Sequence, residues 1–180
     1  MMLSRRILIL TAATFAVPAR FAFAQEPAER VTERLIAEAV NAGRRRLAPD
    51  LPPLAGEAVL DAIARERSAA MAAGGAPFDH QDAEGGYPAI EKMRTRYNRF
   101  GAMGENIAMD YEPSRNDFDP RYFASRMVDG WFRSEGHRDN ILSPAFTRCG
   151  TGVARSPGRT TVYATQVFWG PAMMRRPQRD

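Results

Sequence analysis

The sequence predicts an α+β chain, or a layered α/β/α domain in which helices cover an antiparallel sheet. Three observations carry this expectation. Apolar residues recur at helical spacing in runs that reach to about Gly136, a strand-turn-strand pattern is confined to the end of the chain, and no internal repeat suggests stacked small units.

The elements follow in order. From Ala28 to Leu47, the apolar residues Val31, Leu35, Ile36, Ala39, Val40 and Leu47 keep a period of about 3.6 residues, the mark of an amphipathic helix. Pro49, Pro52 and Pro53 stop it. A second periodic run holds Val59, Leu60, Ile63, Ala64, Arg67, Ala70 and Met71, and Gly74-Gly75-Ala76-Pro77 closes it. After a Gly85-Gly86 loop, Pro88 suits the first turn of a short helix running to about Asn98. Residues 110–120 are polar, punctuated by proline, and read as a loop. Past Pro120, the residues Phe123, Met127, Val128, Trp131 and Phe132 form the face of a third strong helix ending near Gly136. Cys149–Ala154 and Thr160–Trp169 are β-prone runs joined by the turn Ser156-Pro157-Gly158.

The opening stretch places Arg5 and Arg6 before an apolar run from Ile7 to Val17, and Ala22-Phe23-Ala24 supplies a small-x-small cleavage pattern. Residues 1–24 therefore read as an export leader, with the mature chain at residues 25–180. The run is shorter than the roughly 20 residues that span a bilayer, so no membrane span is expected. Ser4-Arg5-Arg6 before Ile7-Leu8-Ile9 also resembles a twin-arginine signal, whose cargo crosses already folded, although arginine pairs occur in ordinary secretory leaders too. Either route leads to the periplasm or the cell exterior.

Removing the leader takes Arg5, Arg6 and Arg20 from the 25 basic residues and nothing from the 21 acidic ones, so the net charge falls from +4 to +1. That balance does not suit a nucleic-acid partner, which calls for a clustered basic face. Arg44, Arg45 and Arg46, and the Arg175-Arg176 pair in a short basic C-terminal tail, read as solvated charge. The remaining chain has the length of a single domain, expected to be monomeric. Its lone Cys149 cannot form an intramolecular disulfide and reads as a small buried hydrophobe among Phe146, Gly150, Gly152 and Val153.

The chemistry concentrates in three short segments. Phe78-Asp79-His80 and the run Trp131-Phe132-Arg133-Ser134-Glu135-Gly136-His137-Arg138-Asp139-Asn140-Ile141-Leu142 carry the two histidines of the chain, and Gly104-Glu105-Asn106-Ile107-Ala108 carries a carboxylate between them. Imidazoles beside carboxylates are the residue types of a divalent-metal or acid/base site. Each residue also has a plain structural reading. His80 could bond to backbone, Glu105 could accept backbone donors beside a Gly104 turn, and His137 could staple the Glu-Gly-His-Arg turn with Arg138 and Asp139 pairing nearby. Asn106 has the donor and acceptor groups to pin a loop. Ser134, with His80 and Glu105, invites a Ser-His-Glu triad, which requires hydroxyl-to-imidazole contact, an oriented carboxylate and an oxyanion hole. Trp131 and Trp169 read as core aromatics.

Taken in order, these segments resemble the superfamily of cysteine-rich secretory proteins, antigen 5 and plant pathogenesis-related proteins, the CAP or SCP domain, in its bacterial branch. The resemblance also covers Asn41 with the arginines after it, Leu54 leading into the Leu60–Met71 helix, and Tyr163-Ala164-Thr165-Gln166-Val167-Phe168-Trp169. It implies a three-layer α/β/α sandwich with a central antiparallel sheet and a cleft. In many members, two histidines and two glutamates line that cleft and can hold a divalent ion, often zinc. His80 and Glu105 match the first histidine and first glutamate. The second glutamate's position holds Ser134, and the second histidine's position holds Tyr163. His137 resembles a histidine of the bacterial branch that enters the same cleft from another element.

The resemblance thus implies a cleft of His80, Glu105, Ser134, Glu135, His137 and Tyr163. His80, Glu105 and His137 would be the ligands of zinc or another divalent cation, and Glu135 a further second-layer or fourth group. Three protein ligands would leave a position open for water. The functional expectation is an exported binding module for a lipid, peptide or cell-envelope component. The alternative is a metal-dependent peptide or ester hydrolase.

Overall fold

The computed structural model describes residues 26–97, 101–111, 118–158 and 160–171. The leader, Asn98 at the expected end of the third helix, most of the 110–120 loop and the tail arginines lie outside these residues. Among the described residues, five helices and four strands follow in the order α1 (Ala28–Leu47), β1 (Ala55–Gly56), α2 (Ala58–Ala72), α3 (Pro88–Arg96), β2 (Ala102–Tyr111), α4 (Pro120–Arg133), α5 (Glu135–Leu142), β3 (Arg148–Arg155) and β4 (Thr161–Gly170).

The strands form one sheet in the order β1-β3-β4-β2. β3 and β2 both run antiparallel to β4, while the two residues of β1 pair in parallel with Arg148 and Cys149. Alternate residues of β4 face opposite layers, as a strand buried on both sides requires. Val162, Ala164 and Phe168 join α1, α4 and α5 through Ile36, Val40, Phe123, Met127, Trp131 and Ile141. Val167 faces the other way, with Leu60, Ile63, Ala64, Ala89 and Met93 of α2 and α3. This is the expected three-layer α+β sandwich, its sheet antiparallel except for the short β1.

Two glycines set the spacing of α2. A Cβ on Gly150 would stand 2.1 Å from the Leu60 carbonyl carbon, and one on Gly152 would stand 2.1 Å from the Arg65 nitrogen, so the helix backbone lies directly on β3. Glu33 of α1 ties the same region together, accepting hydrogen bonds from Arg65 of α2 and from the Val153 N–H of β3. α4 begins where its sequence dictates. Pro120 occupies the first turn, and the Asp119 carboxylate accepts from the Arg121 N–H at 2.8 Å.

Three expectations change. Gly104-Glu105-Asn106 is not a turn but the middle of β2, a ten-residue strand that extends through Asp110 and Tyr111, where a loop was expected. The Glu-Gly-His-Arg stretch is not a turn either. α4 stops at Arg133, and a separate helix, α5, begins at Glu135. Arg44 is not solvated charge, unlike its exposed neighbours Arg45 and Arg46. It is 1% exposed and donates to the carbonyls of Pro52, Ile141, Ser143 and Phe146. Arg44 thus joins α1 to the loop before β1 and to the exit of α5.

β2 lies at the edge of the sheet, and side chains cover part of its outer rim. Trp131 Nε1 donates to the Ile107 carbonyl at 3.0 Å, and Asn140 Nδ2 donates to the Glu105 carbonyl at 3.2 Å.

Candidate functional site

β2 delivers Glu105 and Asn106 to opposite faces of the sheet, because consecutive strand residues alternate. The Glu105 side chain, 5% exposed, turns toward α2. There Arg67, 3% exposed, brings its Nε within 3.5 Å of Glu105 Oε1. Arg67 Nη2 also donates to the Asp79 carbonyl, so one buried guanidinium holds both the carboxylate and the loop that carries His80. His80 completes the arrangement through Nδ1, 2.9 Å from Glu105 Oε2.

Asn106 faces the other layer and organises the second histidine. Its Nδ2 donates to the His137 carbonyl at 3.1 Å, and its Oδ1 accepts from Asn140 Nδ2 at 2.9 Å. Both α5 residues are thereby registered against β2, which brings the His137 ring to 5.9 Å from the His80 ring, centroid to centroid. His80, Glu105, Ser134, His137 and Asn140 line a cleft of about 360 Å³ with Gly136, closed on one side by Tyr87 and Ile90 of the α3 region. A larger groove of about 890 Å³ between α2 and α3 has no histidine in its wall.

The two imidazoles are driven apart electrostatically. The hydrogen bond that the His80 ring donates to Glu105 raises the pKa of His80 above the ordinary histidine value, aided by the charges of Glu105 and Asp79 and opposed by burial and Arg67. Burial lowers that of His137, and the charge of His80 adds to the effect. His80 therefore keeps its proton to a higher pH than His137 does, a split suited to acid/base roles or to a ligand with both donors and acceptors.

The other expected site residues fall elsewhere. Glu135 is exposed on α5 and is absent from the cleft wall. Tyr163 lies on β4 with its ring 6.2 Å from that of Phe78, also outside the cleft wall. Ser134 lines the cleft, but among the described residues its hydroxyl makes no hydrogen bond to either histidine, so the contact that defines a triad is missing. Cys149 is 2% exposed, and burial pushes its thiol up to about 12, as befits an inert core residue.

The fit to a metal was tested on the same geometry. Among the described residues no three His, Cys, Asp or Glu side chains converge as a metal would require. Glu105 gives one oxygen to His80 and turns the other toward the Arg67 cation, so His80, Glu105 and His137 do not form an open three-ligand set. The arrangement does not fit the expected zinc.

Sequence reasoning missed Arg67 and Asn140 as site residues. Arg67 left a trace, a charged residue at a core position of the α2 apolar period, where an unpaired arginine is rarely tolerated. Asn140 left none.

The profile of the cysteine-rich secretory protein family, CAP, matches residues 37–168. This chain belongs to that family. The CAP domain is 33% identical over 124 residues to the uncharacterized protein YkwD of Bacillus subtilis (strain 168), covering 69% of this chain and 43% of that one. Among solved structures, it superposes with a TM-score of 0.60 at 27% identity on an extracellular protein containing an SCP domain from Bacillus anthracis str. Ames, covering 79% of this chain and 41% of that one. It therefore spans less than half the length of either relative. An outer surface protein from Borrelia burgdorferi shares the fold at a TM-score of 0.62 and 15% identity, covering 78% of this chain and 92% of that one. No described helix of the CAP domain is long and apolar enough to cross a membrane.

Proposed function

We propose that this protein is an exported CAP domain that acts as a monomeric binding module in the periplasm or outside the cell, with the cleft of His80, Glu105 and His137 as its ligand site. One observation carries the reading. The chain buries a carboxylate and a guanidinium to hold a single imidazole at the mouth of a cleft, beside a second imidazole of opposite tendency. Burying charge is costly unless it is paired. The cost is consistent with a site that must present one donor in a fixed direction. The leader-like residues 1–24 and the extracellular SCP-domain relative support export.

Calorimetry on the purified protein tests the reading, with zinc chloride and a fragment library carrying carboxylate and amide groups titrated in parallel into the parent and the His80→Ala variant. Saturable fragment binding that His80→Ala abolishes supports the ligand cleft. One-to-one zinc binding lost in the same variant would move the function to the metal-dependent hydrolase alternative.

A further inference from the structure

The groove of about 890 Å³ between α2 and α3 changes chemistry along its length. The two helices run in opposite directions beside it. Lys92 of α3 pairs with Glu66 of α2, while Tyr97, just past α3, and Glu57, just before α2, are gathered by Trp169 and Arg148. One end is therefore walled by Val59, Thr95 and Arg96, and the middle by Ala62 and Ile63. Glu66 and Glu91 wall the far end, with Lys92 between them in the same wall.

The chain leaves the sheet at the first of these ends. Trp169, next to last in β4, stacks its ring on that of Tyr97 at 4.8 Å, and Arg148, lying over the same indole, bonds to Glu57. The backbone passes from there through Gly170 to Pro171, and the sequence continues Ala172-Met173-Met174-Arg175-Arg176. α3 has nine residues, so its side of the groove is about 14 Å long at a helical rise of 1.5 Å per residue. Five extended residues span roughly 16 Å, enough to cover that length.

The order of the walls matches the order of the sequence. The geometry points to residues 172–176 as the occupant of this groove in the same molecule, with Met173 and Met174 over Val59, Ala62 and Ile63, and Arg175 and Arg176 beside Glu66 and Glu91. Uncharged Ala172 is the residue that passes Arg96. Methionine, unbranched and polarizable, fills irregular gaps such as the one between two helices. Glu66 already meets Lys92, but Glu91 makes no ion pair among the described residues, so a carboxylate stands ready at the far end. Tethered this closely, the segment faces the groove at an effective concentration of order millimolar, and weak contacts suffice to seat it. α3 gains most, because Ala89 and Met93 are its two buried residues. The same region walls the His80 cleft through Tyr87 and Ile90, so the seated segment braces that wall from behind, whatever ligand the cleft takes.

Amide hydrogen exchange followed by NMR on the purified protein tests the inference. The parent is compared with a Met173→Ser, Met174→Ser variant, with Ala62→Arg, which obstructs the exposed middle of the groove, and with all three substitutions combined. Each of the first two variants should exchange its α3 amides at least about threefold faster than the parent, and the combination no faster than the faster of the two, because both remove one contact. Parent rates in either variant overturn the inference, as does an additive acceleration in the combination. Acceleration spread evenly over all elements also overturns it, since the lost contact would then not be local to α3. Protection of α3 that rises with protein concentration would put the segment in the groove of a second copy and overturn the seat within one molecule.

Discussion

Two buried arginines do unlike work in this protein. Arg44 meets only carbonyls, and burial lowers its pKa from the usual arginine value. Replacing it with methionine should cost about 3 kcal/mol or more in urea-induced unfolding, because four carbonyl groups lose a donor at once. Lysine should recover little, since three donors on a point charge cannot reproduce the planar fork. Arg67 faces the cleft instead, through its ion pair with Glu105. In Glu105→Gln, the His80 ring loses its ionised partner, and its pKa, followed by NMR, should fall below that of the parent. An unchanged His80 titration would show that the contact does not govern the ring. The sequence announced neither role, for an arginine in a basic run and an arginine in an apolar period differ only in what later folds over them.

Among the elements, α1, α2, α4 and the terminal hairpin were legible because each carries a long periodic pattern or a strong turn. β2 and α5 were not. β2 is buried from both layers near its middle, yet its sequence there is Gly104-Glu105-Asn106, because it presents polar groups to partners that arrive from α2 and α5. α5 has one buried anchor, Ile141, which is too little for a period to register. Its faint signals were Ser134 before an acidic first turn and the Ser143-Pro144 stop. The site sits on these two poorly patterned elements, so its residues were readable by resemblance while its geometry was not. The close seat of α2 on β3 gives a prediction at this scale. Gly152→Ala should lower unfolding free energy by roughly 1–3 kcal/mol or more, since the added methyl meets helix backbone that has nowhere to move. A melting temperature equal to the parent's would mean that the two layers can slide apart freely.

For the molecule as a whole, the two histidines give stability an internal opposition in acid. Unfolded, both titrate near the ordinary value of about 6.5. His80 has a raised folded pKa, so its contribution is complete below the unfolded value and is lost as pH rises through the higher folded pKa. His137 has a lowered folded pKa, so it draws stability away as pH falls from the unfolded value toward the folded one. Urea unfolding should therefore show His80→Gln losing more at about pH 5 than at about pH 9, while His137→Gln fares better, relative to the parent, in acid than in base. Parallel profiles for the two variants would mean that their environments do not differ as described. One further property follows from the rim of β2. An open strand edge invites pairing with any other extended chain. Trp131 and Asn140 each occupy a carbonyl on that edge. The same two side chains that position the site's framework also deny a template to would-be aggregates, so a Trp131→Phe, Asn140→Ala protein should be the form most prone to form fibrils.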